Sequence, residues 1–195
     1  MKIKVKEIQI YPLGGISKFN MPLNTKIYKE FLILIAGPLF QYIAFFILLI
    51  LFPNDSNKIN AYHYSILIFN LLPIYPLDGS KLLKLLLELI FPYKYSIKIT
   101  LLISYIVIII IIPIIGNING IIMGIYLLYM TTKEYRKINQ LYNKFLLERY
   151  LYSFYFKKSK IIRNDNHFYR DKRHLIKRKN TYYLENEYLT KKYRN

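Results

Sequence analysis

The chain of 195 residues contains no cysteine. Disulfides and thiolate metal sites are therefore excluded, and any metal must be held by histidine and carboxylate. Both are scarce. There are three histidines (His63, His167 and His174) and 11 acidic residues against 29 Lys and Arg, a formal net charge of +18. Nothing at the start reads as a cleavable signal peptide. Met1–Glu30 opens on spaced lysines, and the first apolar run, Phe31–Phe52, is too long and too late for an h-region.

Apolar runs, by contrast, are long. Phe31–Phe52 carries no charge over 22 residues, enough for a hydrocarbon core that needs about 20. Ser65–Phe91, Ile99–Ile115 and Ile118–Met130 come next, the last extended by Thr131 and Thr132 and flanked by Tyr126, Tyr129 and Tyr135, which suit a membrane interface. These runs predict an all-α, polytopic membrane protein with about four transmembrane helices; three spans plus a re-entrant piece is the alternative. Met1–Glu30 has a net charge of +4, Phe31–Met130 of +2 and Thr131–Asn195 of +12. Four spans place both termini on one side, and their basic character predicts that side to be cytoplasmic. Pro53–Tyr64 and Gly116–Gly120 then become exterior loops.

The segment Asn70-Leu71-Leu72-Pro73-Ile74-Tyr75-Pro76-Leu77-Asp78-Gly79-Ser80 interrupts one of these runs. A carboxylate at membrane depth is costly, so it reads by default as a pathway, an ion site or a metal ligand. The two prolines and the glycine predict a broken helix, tolerated only where protein or a cavity surrounds the freed backbone groups. Asn70 admits two readings, a substrate-positioning amide or a helix–helix hydrogen bond; Gly79 reads as the residue permitting the turn. Ala36-Gly37-Pro38 offers either a groove for a neighbouring helix or an ordinary packing kink.

The remaining parts divide the chain. Residues 1–30 alternate Ile3, Val5, Ile8 and Ile10 with lysines before Gly14-Gly15, predicting a small β-hairpin at the membrane surface or a frayed arm. Residues 31–132 form the transmembrane portion. Residues 133–152 place Tyr135, Ile138, Leu141, Tyr142 and Phe145 at helical spacing, predicting a cytoplasmic helix that rests solvated at the interface or serves for docking. Residues 153–195 read as a basic, loosely ordered tail. That tail could meet anionic lipid. Nucleic-acid binding is not assigned to it, because positive-inside bias already explains its charge.

Asn70–Ser80 resembles the N-x-x-P-x-x-P-L-D-G-G motif of the site-2 intramembrane metalloproteases, most closely their sporulation branch, with Ser80 in place of the last Gly. Tyr11-Pro12-Leu13-Gly14-Gly15, Lys29-Glu30-Phe31 leading to Ala36-Gly37-Pro38-Leu39, and Phe145-Leu146-Leu147-Glu148-Arg149-Tyr150 resemble further family segments in the same order. The resemblance implies an intramembrane zinc endopeptidase. Asp78 would be one zinc ligand, and Asn70, Pro73, Pro76 and Gly79 would shape the substrate-binding region. It also implies a membrane-associated substrate, a sigma-factor precursor, and regulation by inhibitory membrane proteins.

The two other zinc ligands of that family are the histidines of an H-E-x-x-H motif, which this sequence does not contain. The chain by itself is accordingly expected to be inactive. The alternative is a non-catalytic membrane protein, a pseudoprotease or regulatory binding protein that keeps the groove without the metal. The three histidines offer no substitute: His63 is expected at an exterior loop, and His167 and His174 as solvated side chains of the tail.

Overall fold

The computed structural model describes residues 5–11, 14–19, 21–152, 154–156, 158–178 and 181–194. Strands β1 (Val5–Tyr11) and β2 (Gly14–Phe19) pair antiparallel with Tyr11 opposite Gly14. Gly14 and Gly15 thus belong to the strand rather than to the turn expected of them, and Pro12 and Leu13 lie outside the described residues.

Helices make up the middle of the chain. They are α1 (Ile27–Leu51), α2 (Ser56–Leu71), α3 (Asp78–Ile90), α4 (Tyr93–Ile115), α5 (Ile118–Arg136) and α6 (Ile138–Leu151). Two stretches, Ile27–Leu51 and Tyr93–Ile114, are long and apolar enough to cross a membrane. Their most apolar windows are only 6% and 28% buried, so neither is enclosed by the described residues. Leu32, Phe40, Ile43 and Ile50 of α1 point outward without a covering partner, which suits lipid.

Pro53–Tyr64, expected as an exterior loop, is instead helical: one turn of 3-10 helix over Pro53–Asp55 runs into α2. Its residues lack the Gly and Pro that would stop a helix after Pro53, which itself occupies a first-turn position. His63 moves with it, from a loop to a buried site on α2 stacked on Phe45 at 4.0 Å between centroids.

Two packed clusters hold the helices together. Ile74 and Leu77, from the stretch between α2 and α3, pack with Ile108 of α4 and Leu127 of α5. Where α5 meets α4, Gly124 lies so close to Ile112 that an added Cβ would come within 2.4 Å of it. The second cluster joins Tyr93, Ile97 and Leu101 of α4 to Ile138, Tyr142, Phe145 and Leu146 of α6 and to residues beyond position 160. The helix expected to lie solvated at residues 133–152 is therefore divided at Lys137, and its second part is central to a core.

The tail also departs from expectation. Strands β3 (Lys158–Ile162) and β4 (Lys172–Arg178) pair parallel, β4 and β5 (Thr181–Leu184) pair antiparallel, and helix α7 (Glu185–Arg194) completes the unit. The reason lies in the period. His174 and Ile176 point inward two residues apart, while Arg173, Leu175 and Lys177 alternate with them on the more exposed face, so a half-buried strand flanked by Lys and Arg reads as a charge run. Phe168, Ile176 and Leu189 bury completely or nearly so in the shared cluster.

Candidate functional site

The break between α2 and α3 comes from its residues. Pro73 and Pro76 donate no backbone hydrogen bond, and Leu72, ahead of a proline, is extended. The freed groups find partners on neighbouring helices. Ser104 of α4, fully buried, accepts from the Tyr75 N–H at 3.1 Å and lies 3.1 Å from the Pro73 carbonyl, which accepts from its hydroxyl. Thr131 of α5 approaches the Tyr75 carbonyl at 3.4 Å. The Ser104 hydroxyl, one helix away, thus stands in for missing helical bonds, while Thr131 donates chiefly to Leu127 of its own helix at 2.8 Å.

Gly79 is not at a turn. It lies in the first helical turn of α3, and a Cβ added there would meet the Leu71 carbonyl oxygen at 2.1 Å and that of Leu72 at 2.5 Å. Its role is close approach: only a residue without a side chain lets the start of α3 rest on the end of α2. This contact positions Asp78, its neighbour in sequence.

The Asp78 carboxylate opens onto a cleft of about 710 Å³ lined by Glu30, Ala36, Gly37, Phe40, Lys81 and Arg170 among others. One oxygen, Oδ1, accepts from Lys81 Nζ at 2.7 Å. The other, Oδ2, faces Gly37, where an added Cβ would stand 3.8 Å away. The small-residue segment of α1 therefore does form one wall of a groove, with the carboxylate in it. Of the five residues singled out by the motif, Asp78 alone lines this cleft; Asn70 sits in the last turn of α2, and Pro73 and Pro76 lie in the non-helical stretch. Asn70's side chain makes no hydrogen bond among the described residues.

As for a metal, Asp78 has the right chemistry for one ligand. Among the described residues no three His, Asp or Glu side chains come together to hold an ion. One carboxylate is not a zinc site, and the histidines are elsewhere: His63 on α2 among aromatic rings, His167 beside Tyr95, and His174 inside the tail unit.

Two buried arginines, which sequence reasoning missed, bind the tail to the rest. Arg149 of α6 donates to Glu185 at 2.5 Å, to Asn24 at 3.0 Å and to the Lys172 carbonyl at 2.6 Å. Arg170 donates to Glu88 of α3 at 2.7 Å, to the Thr25 carbonyl at 2.7 Å and to Glu30 of α1. Arg149 had one signal in the sequence, its place in Phe145–Tyr150; Arg170 had none, since both of its carboxylate partners are more than 80 positions away.

His174 is wholly buried, not solvated. Its Nε2 accepts from the Tyr169 N–H at 2.9 Å, so its proton resides on Nδ1, 3.1 Å from Glu185. Burial lowers the imidazole below its usual range, against the pull of Glu185. For Glu185, burial alone would raise the carboxyl, but hydrogen bonds from His174 and Arg149 outweigh it and hold it down at about 2. Both folded values lie below the unfolded ones, so both groups stabilise the fold above the unfolded values, and stability falls as pH falls. The loss begins below the ordinary histidine value of 6.5, as unfolded His174 takes a proton that the folded ring refuses, and a second loss runs from 4.5 toward about 2. Chemical denaturation midpoints of the detergent-solubilised chain against pH should show the first loss, and H174N should flatten it; a wild-type midpoint constant from neutrality through the histidine range would contradict it.

No family model matches the chain. It is 30% identical over 158 residues to "Stage IV sporulation protein FB" of Bacillus subtilis (strain 168), a match covering 75% of this chain and 55% of that protein. It is 32% identical over 102 residues to a zinc metalloprotease of Methanocaldococcus jannaschii, covering 47% of this chain and 29% of that protein. The chain thus spans about half the length of the first relative and under a third of the second. The likeness to these two proteins, together with the motif at Asn70–Ser80, is consistent with a site-2 protease-like relative.

Proposed function

We propose that this chain is part of an intramembrane zinc metalloendopeptidase, with Asp78 as the carboxylate ligand and the remaining donors supplied by a helix outside this sequence. The observation that carries the reading is the cleft between α1 and α3, where Gly37 leaves Asp78 Oδ2 open. The relatives' names supply sporulation and zinc metalloprotease chemistry, and the apolar helices supply the membrane. In this reading α2 and α5 join α1 and α4 as four spans, and the basic termini lie in the cytoplasm. Asn70 is a substrate-positioning amide beside the non-helical stretch of residues 72–77, the substrate is a membrane-associated protein such as a sigma-factor precursor, and inhibitory membrane proteins regulate the protease. Zinc, when bound, would polarise a water for attack on a peptide bond; this chain's residues contribute one ligand to that centre, and no reaction step is assigned to them.

A second reading, a non-catalytic membrane protein retaining the groove, is supported by the lack of a three-ligand cluster among the described residues. Zinc analysis of the polypeptide purified from its own membranes separates the two. The protease reading expects about one zinc per full-length polypeptide, held by Asp78 together with the donors outside this sequence, and its loss in D78N. Absence of zinc from the wild-type protein, or zinc undiminished in D78N, would sink it.

A further inference from the structure

A second cleft, of about 680 Å³, lies where α1 begins, and neither the metal reading nor the broken helix uses it. It is bounded by the Pro22–Lys29 segment, by Glu88 and Leu89 of α3, and by Phe154–Phe156, Lys158 and Tyr169–Lys172 of the tail side. Its lining combines two kinds of residue. Tyr28 and Leu89, both more than half exposed, belong to α1 and α3, which carry outward apolar residues. Lys26, Lys29, Lys158 and Lys172 form no ion pair among the described residues.

The acidic groups nearby do not balance this charge. Glu88 is taken by Arg170 at 2.7 Å and faces Lys84 at 3.5 Å. Asp171 lies 3.4 Å from the Ile27 N–H, which donates toward it at the start of α1. Four lysines without carboxylate partners therefore line a cleft that also includes exposed apolar residues of α1 and α3. Exposed Leu86, Leu89 and Ile90 give that face of α3 an apolar character that suits the interfacial region of a bilayer.

We infer that this cleft binds the glycerophosphate headgroup of an anionic membrane lipid. The phosphate sits among Lys26, Lys29, Lys158 and Lys172, and the acyl chains leave along Tyr28 and Leu89 into the bilayer. Each part of the ligand then meets its own chemistry: a phosphate needs cations, and its chains need an apolar exit. A free phosphate would satisfy the lysines but not the exit. Because the cleft joins residues from α1, α3 and the tail unit, an occupant would also bind these three together, and its binding would stabilise the fold.

The test uses the full chain in a neutral detergent micelle, with bound lipid counted by native mass spectrometry. The probes are dihexanoyl phosphatidylglycerol, dihexanoyl phosphatidylcholine and inorganic phosphate. The wild type should retain the anionic lipid over the zwitterionic one. The combined variant K26Q/K29Q/K158Q/K172Q should bind it roughly tenfold more weakly or worse, given the contribution of each lysine near an anionic surface. The control K137Q/K144Q/K177Q/K191Q removes equal charge away from the cleft and should bind as the wild type does. Y28S, which spares every lysine, should weaken retention of the lipid while leaving any binding of inorganic phosphate alone. Equal retention of both lipids, equal loss in the control, or displacement of the lipid by inorganic phosphate at comparable concentration would overturn the assignment.

Discussion

Replacing Gly79 by alanine is expected to destabilise the chain markedly, although alanine is intrinsically the better helix former by about 1 kcal/mol. The added Cβ would stand 2.1 Å from the Leu71 carbonyl oxygen, and that atom is main chain at the end of α2. No rotamer change removes such a clash; α2 and α3 must part, and Ile74 and Leu77 between them must move within their cluster. Overpacking of this kind costs roughly 1–3 kcal/mol, sometimes more. Two other glycines calibrate the expectation. At Gly124 the obstacle is the Ile112 side chain, which can rotate, so G124A should cost less. At Gly37 the nearest atom is Asp78 Oδ2 at 3.8 Å, ordinary contact distance, so G37A should leave stability nearly unchanged while narrowing the groove. Denaturation midpoints of the three variants in one detergent should rank G79A as the most damaged; G79A at wild-type stability would refute the close-approach role.

That ranking marks what a linear reading could and could not reach. The broken helix was legible because Pro73 and Pro76 remove donors wherever they stand, and Asp78 was legible because a carboxylate in an apolar run is conspicuous. Gly79 was visible as a special position but not for the right reason: a glycine at a turn and a glycine under a neighbouring carbonyl look alike until the neighbour is known. Ser104, which satisfies the freed backbone, and Thr131, which approaches it, read only as small polar residues of apolar helices. The tail failed for a different cause. With Lys and Arg on the outer face of β4, the inward pair His174 and Ile176 disappears into a basic stretch, and the tail's own scattered Ile162, Phe168, Ile176, Tyr188 and Leu189 form a core only together with residues of α4 and α6. A segment that borrows part of its core from elsewhere cannot be recognised by its own composition.

Arg170→Met is expected to have the second large effect, because Arg170 is where the tail unit meets the membrane portion. Its side chain is 1% exposed and its guanidinium reaches two carboxylates on different helices, Glu30 at the start of α1 and Glu88 near the end of α3. Methionine fills most of the volume but leaves both acids without their cation. Glu88 is fully buried, and its Oε1 already lacks a hydrogen-bond partner, so it would be left with Lys84 at 3.5 Å as its remaining counter-charge. Removing one partner of a buried ionic group costs about 3–5 kcal/mol, since the other charge stays desolvated. Rescue is expected on the same grounds. In R170M/E30Q the stranded Glu30 charge is gone and Glu88 keeps Lys84 as its counter-charge, so part of the lost stability should return, which a loss of packing alone would not allow. Limited proteolysis reads the same event locally: R170M should expose the 163–171 connection between β3 and β4 to trypsin at Arg163 while α4 stays protected, whereas the double variant should be cut more slowly. The Asp78 cleft shares Arg170 as a lining residue, so release of the tail should also open that cleft on the Met21–Glu30 side. If R170M is as stable and as resistant as the wild type, the arginine is not the tie, and the tail is held by the shared apolar cluster of α4, α6 and α7 instead.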